Sequence, residues 1–211
     1  MAIVTRMTTP PVRGAAVLTC VAIFFLCASC ATGYTAAISN PLPQGDIEMV
    51  DDFEDENDFW SAAGIFCAED YSLETDLSDE WCSAGEYCGQ WSFANIPQGC
   101  SATFVCESLI TNDWSGAQAV LADVNNVSQG PVELYVAVEC APSGNTLCTE
   151  VQSLGVGENV NVTFRLDETL RDKDGNAVAL QENDEVKSLA FKVQGKKGAG
   201  TILIDEIRLL R

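Results

Sequence analysis

The 211-residue chain carries 31 Asp and Glu against 11 Lys and Arg, contains no histidine, and has a formal net charge of −20. A chain this acidic repels nucleic-acid phosphates and anionic lipid headgroups, which excludes a nucleic-acid partner. Without histidine, a Ser-His-Asp triad and a His-ligated zinc centre are excluded as well. In chain order, Arg6 and Arg13 come first, followed by the apolar run AAVLTCVAIFFLCASC from Ala15 to Cys30. That run has the length of a signal-peptide core and is short for a membrane span. The small-residue, Pro-containing stretch ATGYTAAISNPLPQG follows and reads as a linker.

The segment Cys27-Ala28-Ser29-Cys30 resembles a bacterial lipobox, although Cys27 stands where an aliphatic residue is usual. The resemblance implies lipidation at Cys30 and an exported protein that meets the membrane only through its lipid, at the cell envelope. An ordinary secretory signal cut near Ala31 is the alternative. The organisation is then a signal peptide over 1–29, a flexible linker over 30–46 and one folded domain over 47–211.

From Ile47 onward the apolar residues recur with period two, the signature of strands. QWSFA puts Trp91 and Phe93 on one face. AQAVLADV is apolar on both faces, as a strand covered from both sides would be. VELYVAV alternates Val132, Leu134, Val136 and Val138 against Glu133, Tyr135 and Ala137. NVNVTFRL alternates Val160, Val162, Phe164 and Leu166 against Asn161, Thr163 and Arg165. KSLAFKV continues the pattern, and TILIDEIRLL is again apolar on both faces. Turn clusters such as NIPQG, APSGN and KDGN separate these runs. The fold class is therefore all-β, a jelly-roll β-sandwich of two antiparallel sheets.

In an exported protein the cysteines after Cys30 are disulfide candidates. Cys140 and Cys148 flank the turn APSGNTL and are predicted to pair across it. Cys100 and Cys106 lie in CSATFVC, which reads as extended. A strand of that length spans roughly 20 Å, far beyond the roughly 7 Å limit for a bridge, so these two are predicted not to pair with each other.

The opening MVDDFEDENDFW and the ending TILIDEIRLL resemble the two ends of carbohydrate-binding modules with the galactose-binding-like jelly-roll fold, the family 11 type among them. GQWSF, NDWSGAQAVLADVNN and GENVNVTFRL resemble that family's middle strands. The resemblance implies a structural Ca²⁺ where the first and last strands meet, held here by Glu54 and Asp205 with backbone carbonyls. A pair of carboxylates suits that ion, which takes six to eight oxygens. The other reading makes both residues ordinary strand-end acids.

Sugar recognition needs a flat aromatic ring for the apolar face of a pyranose, with polar groups for its hydroxyls. If their strands are neighbours, Glu133, Tyr135, Asn161 and Arg165 share one outward face. Trp91 is a further candidate platform, although its sharing a face with Phe93 favours the core. No pair of carboxylates is marked out for glycosidase chemistry. The expectation is a non-catalytic surface lipoprotein that binds a polysaccharide such as β-glucan. The alternatives are an adhesion or structural envelope protein on the same scaffold and, last, a glycoside hydrolase.

Overall fold

The computed structural model describes residues 38–55, 60–64, 70–141, 143–167, 170–180, 184–195 and 198–211. The signal segment, Cys30 and Cys67 lie outside the described residues. No helix occurs among the described residues. The strands are β1 (Ile38–Ser39), β2 (Ile47–Asp51), β3 (Trp60–Ala63), β4 (Ser72–Ser78), β5 (Cys88–Ala94), β6 (Ser101–Cys106) and β7 (Ala119–Asn126). The chain continues with β8 (Val132–Ala141), β9 (Thr146–Cys148), β10 (Gln152–Leu154), β11 (Gly157–Arg165), β12 (Glu185–Gln194) and β13 (Ala199–Leu210).

They form two sheets. The seven-stranded sheet runs β1-β11-β7-β13-β5-β4, with β2 on β13, and the six-stranded sheet runs β10-β8-β12-β6-β3, with β9 on β8. All pairings are antiparallel except β1 with β11. The expected two-sheet sandwich is the fold observed. Strand β1 falls inside the stretch read as linker: Ile38 pairs with Asn159, and the Asn40 N–H donates to the Val160 carbonyl at 3.2 Å. The ordered domain therefore begins ahead of Ile47, where composition alone suggested loose chain.

Period-two alternation fills the space between the sheets. Leu134, Val136, Leu189, Phe191 and Phe104 enter it from the six-stranded sheet, and Trp91, Val124, Phe164, Ile202 and Ile204 from the seven-stranded one. At its centre Trp91 stacks on Phe104, with ring centroids 5.0 Å apart and planes 8° from parallel, and Trp60 lies 5.0 Å from Trp91. Strands β7 and β13 are apolar on both faces because they sit in the middle of the larger sheet. Their outward residues Ala119, Leu121 and Leu210 form a second, smaller buried cluster. The last strand serves three partners: its first half bonds β5, its second half bonds β2, and β7 takes the opposite edge.

The opening acidic stretch is built into this frame. Phe53 turns inward and is 4 % exposed. It adopts φ 59, a cost offset by burial of the ring against Trp60 and Gly89. Asp51 accepts from the Phe53 N–H at 2.9 Å and from the Trp60 indole N–H at 2.6 Å, so it ties the strand end to the core instead of serving as surface charge.

Candidate functional site

Tyr135 and Glu133 project from β8 onto the outer face of the six-stranded sheet. In the same register row as Tyr135 lie Lys192 of β12 and Thr103 of β6. The Tyr135 hydroxyl lies 2.8 Å from that of Ser101, also on β6. Since β8 and β6 are separated by β12, this contact spans two strand spacings, about 9.6 Å. The tyrosine side chain must therefore extend across β12 along the sheet. Burial is the main reason its phenol titrates above the ordinary range, so the ring stays neutral at neutral pH. The next row consists of Ala137, Ala190 and Val105, of which Ala137 and Ala190 are buried. A cleft of about 250 Å³ opens at the edge between the two sheets, where Phe93, Val132 and Val193 line it together with Glu133 and Gln194 of this face. A neutral ring, a carboxylate, an ammonium and an amide are the groups with which a sheet surface recognises a sugar.

Arg165 and Asn161 are not part of this surface. Both sit on β11, in the other sheet. Alternation tells inward from outward but not which sheet a strand joins, and these strands joined different ones. The Arg165 guanidinium is taken up by Asp167, through Nε at 3.0 Å and Nη2 at 2.6 Å. Asn161 occupies a β-bulge with φ 55, a conformation Asn tolerates. Its side chain donates to the Asn40 carbonyl at 2.9 Å and accepts from Arg208 at 3.2 Å. Trp91 is 1 % exposed and belongs to the core, because Phe93 and Ile202 turn the same way.

The outer face of the seven-stranded sheet is covered in part by its own chain. The β4–β5 connection, residues 79–87, folds over it. Asp205 of β13 is fully buried and accepts from the Ser83 N–H at 2.7 Å, the Ser83 hydroxyl at 2.9 Å and the Ala84 N–H at 3.0 Å through one oxygen. Its other oxygen accepts from the Glu206 N–H at 2.8 Å. Glu54 holds the same loop, accepting from the N–H groups of Glu86 at 2.7 Å and Tyr87 at 2.9 Å. From this loop Trp81 reaches across the face, its indole N–H donating to Glu158 of β11 at 3.2 Å. Outward-facing Leu203 stands in the same row as Glu158 and is only 2 % exposed.

The opening and closing acids thus converge on one segment, but as clamps on backbone donors. No group of three or more acids or thiols with metal-site geometry occurs among the described residues. Beside Asp205, Asp123 of β7 accepts from Arg208 at 2.8 Å and from the Asn161 N–H at 2.7 Å. A protein cation, 13 % exposed against 6 % for its partner, neutralises that buried acid and joins the bulge of β11 to that of β13.

The cysteines need one correction. Cys140 and Cys148 carry free thiols. Register explains why: Cys148 stands opposite Ala137, not Cys140. Three residues along a strand is about 10 Å, and the two side chains leave opposite faces, Cys140 into the core and Cys148 toward Lys192 and Tyr135. Cys100 is disulfide-bonded and Cys106 is a thiol, so these two do not pair with each other, as predicted.

This architecture is that of the β-sandwich carbohydrate-binding modules. The chain is similar to a family 11 module from Clostridium thermocellum in complex with a β-1,3-1,4-mixed-linked tetrasaccharide, at TM-score 0.58 and 15 % identity, over 83 % of this chain and 97 % of that one. It is similar to a non-crystalline-cellulose-specific family 28 module at 0.53 and 12 %, over 83 % and 99 %. A third likeness, to an agarase, reaches 0.54 and 14 % over 79 % of this chain but only 24 % of the enzyme. No family model and no curated protein matches the sequence, so the likeness rests on structure and establishes the fold.

Proposed function

We propose that the domain binds a polysaccharide or oligosaccharide without catalysing a reaction, on the outer face of the six-stranded sheet. The observation that carries this reading is the Tyr135 ring laid across β12 between Glu133, Lys192, Gln194 and Ser101. A pyranose stacked there places its hydroxyls within reach of those groups. The opposite outer face is a poorer candidate because residues 79–87 and Trp81 lie over it. Two of the similar structures are carbohydrate-binding modules of nearly this whole length, and one holds a mixed-linked glucan fragment, which makes β-glucan the first ligand to try.

Native affinity electrophoresis of the domain through gels containing mixed-linked β-glucan, xylan or agarose tests the proposal. Retardation by at least one polysaccharide supports it, and free migration through all of them, repeated on a broad glycan array, refutes it. Unchanged reducing-end content after prolonged incubation would separate binding from hydrolysis.

The reading extends to location. A short apolar run after Arg6 and Arg13, ended by Cys30, suits export and lipid anchoring, and a disulfide at Cys100 suits an oxidising compartment. Metabolic labelling with a clickable fatty acid should mark the full-length protein, and Cys30→Ala should abolish the label.

A further inference from the structure

Residues 79–87 connect β4 to β5, and the register sets Ser78 opposite Cys88. Within this connection Cys82 doubles back on the first residue of β5. The two thiols hydrogen-bond each other, and Cys88 also accepts from the backbone of Trp81. Cys88 is fully buried and Cys82 is partly exposed. The segment between them cannot drift, because the N–H groups of residues 83 and 84 are tied to Asp205 and those of 86 and 87 to Glu54. The carboxylates thus hold in place the small loop that brings Cys82 back beside Cys88.

We propose that Cys82 and Cys88 are a redox pair that closes to a disulfide, locking residues 79–87 and Trp81 onto the outer face of the seven-stranded sheet. The partly exposed Cys82 is the thiol an external disulfide reaches first. Its thiolate attacks one sulfur of a small-molecule or protein disulfide and expels the other as a thiol, leaving a mixed disulfide. The Cys88 sulfur then displaces the second thiol. In total, two S–H bonds break and one S–S bond forms. The two protons and two electrons leave on the oxidant, which becomes two thiols.

The surroundings favour the closed form. Burial, helped by Asp205 and Glu54, raises the Cys82 thiol, and burial with the neighbouring Cys82 and Asp205 pushes Cys88 up to about 12. A setting that opposes thiolate gives the reduced pair no electrostatic advantage, whereas the disulfide carries no charge. The assignment does not depend on the sugar-binding proposal, since these residues lie on the other sheet.

Peptide mapping of protein isolated without reductant and alkylated under denaturing conditions tests the assignment. Digestion with Glu-C and chymotrypsin, which cut after Glu86, Tyr87 and Trp91, separates Cys82 from Cys88 and both from Cys100. The expected product is the Cys82 peptide joined to the Cys88 peptide, lost on reduction. Recovery of both as separate alkylated peptides, or of either joined to another cysteine, would overturn the proposal. Limited proteolysis at Glu86 gives a second readout. Mild reductant should speed cleavage severalfold in the native protein and leave the Cys82→Ser/Cys88→Ser variant unchanged. Equal acceleration in both would count against the pair.

Discussion

The hydroxyl of Tyr135 meets that of Ser101 at 2.8 Å across an intervening strand. The bond fixes a large, flat side chain parallel to the sheet instead of leaving it upright in solvent. A preset ring loses little rotamer freedom when a sugar stacks on it, and that lowers the cost of binding. Removing the Ser101 hydroxyl should therefore weaken glycan retention modestly and leave folding intact. Ser101→Ala is expected to cost several-fold in affinity, with an unchanged melting temperature, in parallel affinity-gel and calorimetry runs.

Asp205 accepts four hydrogen bonds while fully buried. Its replacement by alanine strands several donors, a loss of about 2–3 kcal/mol. The Ser83 and Ala84 amides should exchange faster in hydrogen–deuterium measurements, with smaller effects elsewhere. The same geometry predicts that chelator leaves the wild-type melting temperature unchanged. A drop in EDTA that calcium restores would show that an ion, not the loop, is the partner of this acid.

Arg208 and Asp123 form the other buried ionic contact, at 2.8 Å. Breaking such a pair on one side leaves an uncompensated charge, at about 3–5 kcal/mol. Arg208→Met should lose that much in urea unfolding. Adding Asp123→Asn should recover part of it, because the orphaned charge goes too. Additive losses would mean that the two residues act separately.

The sequence announced the sandwich through alternation at β5, β8, β11 and β12. Alternation is a local property, so it located Glu133 and Tyr135 correctly on an outward face. Strand partnership is not local. Nothing in NVNVTFRL states that it joins β7 and β1 while VELYVAV joins β12, and Arg165 and Asn161 were grouped with Tyr135 for that reason. The bulge at Asn161 was hidden too, since its cause is a hydrogen bond to Asp123, 38 positions earlier. The meeting of Glu54 and Asp205 at one place was legible from the motifs at the chain's ends. What they hold there was not, because the backbone donors of Ser83 to Tyr87 have no signature in side-chain pattern.

Cys140 supplies a pH test. Burial, with Asp184 and Glu139 nearby, pushes its thiol up to about 11 from an unfolded value of 9.0. A raised folded value means that the unfolded chain releases the proton first, so the contribution to stability is intact below pH 9 and is lost as pH rises toward 11. The melting temperature should fall more gently over that window in Cys140→Ala than in wild type. Equal slopes would remove Cys140 as a source. Under denaturing, non-reducing conditions Cys140 and Cys148 should both be open to alkylation.

The central claim is that sugar binds at the Tyr135 face and not across the sheet at Trp81. Titration calorimetry with a mixed-linked glucan oligosaccharide, on wild type, Tyr135→Ala, Tyr135→Phe and Trp81→Ala, tests it most directly. Stacking by an aromatic ring contributes on the order of 1–3 kcal/mol, so Tyr135→Ala should weaken binding by about ten-fold or more. Tyr135→Phe, which loses the same hydrogen bond as Ser101→Ala, should cost several-fold, and Trp81→Ala should leave binding at the wild-type level. Binding that survives Tyr135→Ala and disappears in Trp81→Ala would contradict the account.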